Sequence, residues 1–196
     1  TVQAQGRVVL EKELIDSRDE HVNSYDHRID AFIGPSHVSV ISGSKIYEKF
    51  PKEYGIPVVV AGFEPVDVME AIYMMIKQFN EGRSDLEIQY KRLVTYEGNL
   101  KAQALVEKYF EKVDLFKWRG MGNVPESALK LRDEYAAYDA EVLYKSILPY
   151  DEIDDHKLCI CGDILRGFAK PQECSVFGTA CKPSSPLGSC MVSSEG

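Results

Sequence analysis

All five cysteines of this 196-residue chain fall in its last quarter, as Cys159, Cys161, Cys174, Cys181 and Cys190, a C-x-C-x12-C-x6-C-x8-C pattern. Residues 150–196, which hold them, are rich in Gly, Pro and Ser and poor in apolar surface. Such a stretch cannot build a core alone and needs a metal or a host domain to order it. An odd number of crowded thiols is not a disulfide framework. It points to metal binding or redox chemistry, because the thiolate is both a soft ligand and a nucleophile. Structural zinc sites favour C-x2-C or C-x4-C pairs, which present two sulfurs to one tetrahedral ion, and neither spacing occurs here. Irregular gaps suit an iron–sulfur cluster, whose corners take thiolates from several loops. Zinc, with His156 as a further ligand, and free or disulfide-bonded thiols are the alternatives.

The rest of the chain is long enough for one core. Residues 1–24 read as a polar N-terminal segment, expected to be the remnant of a preceding domain, with an amphipathic stretch around 8–15. Residues 25–149 read as an α/β domain. Strands are expected at 29–34, 57–62, 88–96 and 113–118, and helices at 44–54, 65–79, 99–112 and 125–138. Gly55 closes the first helix, Pro65 and Pro125 open two others, Asn99 caps a third, and Asp67 complements the dipole of its helix. The run at 57–62 is apolar without alternation, the pattern of a strand covered on both faces of a parallel sheet. The expected fold is therefore α/β: a mostly parallel sheet with flanking helices, plus a small irregular Cys-rich iron–sulfur region at 150–196.

A net charge of −8, from 23 Lys and Arg against 31 Asp and Glu, speaks against nucleic acid as a partner. The longest apolar runs are strand-sized, so no membrane span is expected. Uncrosslinked thiols favour the cytoplasm.

In a parallel α/β sheet, ligands gather where strands end and helices begin. Three Gly-loosened turns sit at such ends and carry His37, Glu64 and Arg119, in residues 34–39, 61–67 and 118–123. Glycines that serve tight turns and charges that face water are the plainer reading of each.

Taken together, the segments IDAFIGPSHVSVISG, YGIPVVVAGFEPVDVMEAIYMMIKQ, VTYEGNLKAQ, WRGMGNVPESALKLRDEYAAYDAE, CICGDILRG and SSPLGSCMVSSEG resemble the HypD family of hydrogenase maturation proteins, from about residue 29 to 196. The resemblance implies α/β lobes around a cleft and a C-terminal [4Fe-4S] cluster. It also implies a role in building the Fe(CN)2CO iron centre of [NiFe] hydrogenases, with a HypC-type chaperone that holds the iron and a HypE-type cyanide donor. The tail is similar to ferredoxin:thioredoxin reductase, where cluster ligands alternate with a redox-active pair.

The resemblance leaves two partitions. In one, Cys159, Cys174, Cys181 and Cys190 bind the cluster and Cys161 is free. In the other, Cys159, Cys174, Cys181 and a downstream cysteine bind it, and Cys161 pairs with Cys190. The reductase likeness favours the second. His37, Glu64 and Arg119 become candidate cleft residues that orient the partner-borne iron. The family's N-terminal CGxHxH-type motif, implicated in holding that iron, is absent, so the chain reads as a C-terminal portion of the family pattern. A stand-alone iron–sulfur thiol/disulfide oxidoreductase and a zinc-stapled interaction module are the competing functions.

Overall fold

A computed structural model describes residues 29–118, 120–148 and 156–192. The amphipathic stretch at 8–15 and Arg119 lie outside the described residues. The chain divides into two compact units, one of Ile29–Lys108 and one that holds everything described from Tyr109 onward.

The first unit is built on three parallel strands in the order β1-β2-β3, namely β1 (Phe32–Pro35), β2 (Val58–Ala61) and β3 (Leu86–Ile88). Val58, Val59, Val60 and Ala61 are at most 1% exposed, as their unbroken apolar run requires of a central strand. Each fully buried valine contributes about 1.5–3 kcal/mol. Helix α1 (Ser36–Ser42) follows β1 directly, and α2 (Pro65–Asn80) follows β2 after a three-residue turn. Ala71 and Met75 of α2 pack on Val59 and Ala61 of the strand. Pro65 stands in the first turn of α2, where its missing N–H costs nothing.

Two expected elements of this unit are altered. Residues 44–54 form a 3-10 turn (Lys45–Tyr47) and a π-helical turn (Phe50–Tyr54) instead of one α-helix. Pro51 explains the break, since it has no N–H for the α-helical ladder. Gly55 does close the segment, in the left-handed region at φ 69°. The third strand ends at Ile88 instead of running from 88 to 96. Strand β2 offers it only three partners, and the N–H groups of Gln89 and Tyr90 then both turn onto the Val60 carbonyl.

The second unit corrects the sequence reading more deeply. After α3 (Leu100–Tyr109), β4 (Phe110–Trp118) does not join the parallel sheet. It pairs antiparallel with β5 (Gly122–Leu131), over the residues expected to start a helix. Gly120 and Gly122 both have positive φ, 81° and 73°, and reverse the chain. Pro125 sits beside the irregularity in β4 between Val113 and Leu115, where a strand tolerates the missing donor. Trp118 Nε1 donates to Ser127 Oγ at 2.7 Å across the hairpin. Only the end of the expected helix survives, as a 3-10 helix (Asp133–Tyr138) before the short α4 (Ala140–Leu143). No helix among the described residues is long and apolar enough to cross a membrane.

Candidate thiol centre and turn site

The Cys-rich tail is short on regular structure, and each sulfur is placed by a small local device. Cys161 opens α5 (Cys161–Leu165), and Cys174 follows the 3-10 turn Pro171–Glu173. Cys181 bridges to Phe177, and Cys190 lies in the 3-10 turn Ser189–Met191. Val176, Cys181 and Met191 form a small core, with Cys174, Leu187 and Cys190 packed against it. The Cys161 and Cys190 sulfurs share a hydrogen bond at 2.8 Å. The Cys190 N–H donates to Cys161 Sγ, and the Cys161 N–H donates to Cys159 Sγ, each at 3.4 Å. The Leu187 N–H donates to Cys181 Sγ at 3.3 Å. No disulfide joins these cysteines among the described residues.

Two glycines make these approaches possible. A Cβ at Gly188 would collide with the sulfurs of Cys159 and Cys161. A Cβ at Gly162 would collide with the Gly120 carbonyl, so the start of α5 rests on the tip of the β4–β5 hairpin. The two thiols of the pair differ electrostatically. Burial pushes the Cys190 thiol up to about 12, with its hydrogen bond to Cys161 adding to the effect. Burial also works to raise Cys161, but hydrogen bonds with Cys190, Cys159 and Ser189 outweigh it and bring that thiol below its ordinary value.

In the other unit, the turn after β2 carries Glu64, and His37 stands at the start of α1 after β1. Both are exposed. Phe63 joins them: its ring lies 4.6 Å from the His37 imidazole, centroid to centroid. Behind the turn, Asp67 is 4% exposed and ion-paired to Arg92 at 2.6 Å. The neighbouring Glu64 carboxyl, then Gln89 and Arg92, hold the Asp67 carboxyl below the usual range against the opposing effect of burial. The residues flanking Arg119, Trp118 and Gly120, belong to the second unit and its hairpin. Sequence reasoning missed Phe63, Gln89 and Arg92. Their only signal is proximity to the A-G-F-E turn, and for Gln89 and Arg92 that proximity exists only in the folded sheet.

Over residues 7–196 the chain matches the family model described as HypD, hydrogenase formation hypA family. This chain belongs to the HypD family. It is 52% identical over 168 residues to the hydrogenase maturation factor HypD of Cupriavidus necator, covering 86% of this chain and 44% of that protein. With the HypD of Rhizobium leguminosarum bv. viciae it shares 54% identity over 169 residues, covering 86% and 43%. With that of Azotobacter vinelandii it shares 49% over 169 residues, covering 86% and 44%. The chain thus spans less than half the length of these curated relatives.

By donor chemistry alone, the soft sulfurs suit a thiolate-bound metal group. Cys174, Cys181 and Cys190 belong to one small apolar cluster, and the missing side chain of Gly188 lets the Cys159 and Cys161 sulfurs lie against its backbone. As placed, no three His, Cys, Asp or Glu residues among the described ones are grouped so as to hold a metal ion.

Proposed function

We propose that this chain is the redox-active portion of a cytoplasmic scaffold for hydrogenase maturation, on which the Fe(CN)2CO centre is assembled with HypC- and HypE-type partners. The observation that carries this reading is the Cys161–Cys190 sulfur pair at 2.8 Å, with Cys190 packed on the small cluster of Val176, Cys181 and Met191, in a chain of the HypD family. The iron under construction is cargo.

In this reading Cys159, Cys174 and Cys181 are ligands of a [4Fe-4S] cluster, which would supply electrons one at a time when bound. Cys190 is either the fourth ligand or a redox thiol, and the sulfur pair favours the second role. The Cys161–Cys190 dithiol gives up two electrons and two protons as its S–S bond forms. Release of cyanide from a thiocyanate-type sulfur takes two electrons and one proton, breaks the S–C bond and leaves a thiol. One oxidation of the pair therefore matches one cyanide and returns one proton to solvent. His37 offers a donor to anionic iron ligands and Glu64 an acceptor for a partner's N–H groups, while Arg119, outside the described residues, stays a candidate by its charge alone.

The test is iron and acid-labile sulfide content after reconstitution without oxygen, for a family-length protein and its Cys190→Ser variant. About four of each, unchanged in Cys190→Ser, supports the pair, because in that partition a downstream cysteine completes the ligand set. Loss in that variant makes Cys190 a ligand and removes the pair. Zinc in place of iron favours the zinc-stapled module. The same sulfur pair also supports an iron–sulfur thiol/disulfide oxidoreductase, and turnover of a dithiol substrate by the isolated chain would favour that reading over the scaffold.

A further inference from the structure

We infer that Gln89 is a positioning residue that fixes the Phe63–Glu64 turn against His37, so that the three side chains present one preformed recognition surface. The inference rests on the reading of that turn as a working site.

Gln89 is the first residue beyond β3, one of the two outer strands, and its amide spans the base of the turn. Its Oε1 accepts from the Gly62 N–H at 3.3 Å, and its Nε2 donates to Asp67 Oδ1 and Glu70 Oε2, each at 2.8 Å. Arg92 holds the other Asp67 oxygen at 2.6 Å. One amide thus ties the first backbone donor of the turn to the opening of α2. Among the described residues no other side chain does so. Gly62 has to be glycine for the same reason, since a Cβ there would collide with the Asp67 carboxylate.

The exposed half of the turn has less support: the Glu64 carboxyl meets Asp67, and Phe63, 58% exposed, has the His37 ring against it. A turn held from beneath and open above keeps its shape only while the base is tied. Binding groups held in place before an encounter avoid the ordering cost of binding. A carboxylate at position 89 would keep the acceptor for Gly62 but lose both donors and face Asp67 and Glu70 with like charge. An alanine would lose all three bonds.

The experiment compares this chain with Gln89→Ala and Gln89→Glu by NMR and amide exchange, with thermal melts to show that each variant folds. The His37 ring C–H resonances lie in the field of the Phe63 ring and report the turn directly; Phe63→Leu sets the shift expected when that field is lost. In both Gln89 variants these resonances should move toward the Phe63→Leu positions. In Gln89→Ala the Gly62 amide should exchange about tenfold faster. The Val58–Val60 amides of β2 should keep their protection. Unmoved His37 resonances in a folded variant would overturn the inference. So would an equal loss of protection across β2, which marks a general stabilising tie. Neither readout depends on maturation activity. If Glu64→Gln in a family-length protein left cyanide transfer intact, the functional reading of the turn would fail while the positioning result stood.

Discussion

The sulfurs of Cys161 and Cys190 meet at 2.8 Å although 29 positions separate the residues in the chain. Mild oxidation of the metal-free chain should therefore join these two first. Diamide treatment followed by peptide mass mapping checks it. A Cys161–Cys190 crosslink ahead of any involving Cys174 is expected, and it should stabilise the tail by roughly 3–4 kcal/mol through the closed loop. A first crosslink through Cys174 would sink the pairing.

Gly188 tests the space beside the sulfurs. Its backbone angles, φ −137° and ψ 166°, are open to any residue, so alanine there acts only by collision with Cys159 and Cys161. Gly188→Ala should lose about 1–3 kcal/mol of stability and most of its iron and sulfide uptake. Gly178→Ala is the control. That position has φ 68° and nothing within 4 Å, so it should cost about 1 kcal/mol and leave uptake intact.

Asp67 predicts an acid response. Its folded pKa lies below that of an unfolded aspartate, about 3.9. The stability it contributes is complete above that unfolded value and is lost as pH falls through the lower folded one. Acid melts of the chain and of Asp67→Asn should differ above pH 4 and converge below the folded value. Parallel curves over the whole acid range would contradict the assignment.

The single tryptophan reports the hairpin. Trp118 Nε1 donates to Ser127 Oγ, and Ser127 in turn donates to the Val124 carbonyl at 2.8 Å. Ser127→Ala leaves the indole N–H without that acceptor. A loss of about 1–2 kcal/mol is expected, with a red shift of the Trp118 emission. A helix over residues 125–138, as the sequence pattern suggested, would leave the emission unchanged.

Much of the parallel sheet was legible because its signals are local. The Val58–Ala61 run, Pro65 at the start of α2 and Gly55 in the left-handed region act through backbone preference and burial within a few residues. The hairpin was not legible. Residues 125–138 open with Pro and contain good helix formers, and both features fit a helix until β4 supplies a partner strand. Helix propensity is worth only tenths of a kcal/mol per residue, so strand pairing and the Gly120–Gly122 reversal override it. The turn site was half legible: the A-G-F-E turn pointed to Glu64, but no spacing rule connects it to Gln89, 25 residues later.

Residue order and composition set the kinds of chemistry available. Five soft thiols in a stretch too poor in apolar surface to fold alone, and the motifs that place the chain in the HypD family, are properties of composition and order. Packing of the elements then selected which groups meet. Cys161 faces Cys190 because α5 and the Ser189–Met191 turn pack together around Gly188, and Gln89 reaches Gly62 because β3 lies beside β2. Contacts between distant residues depend on how the elements pack, and that information is spread over every residue of the core.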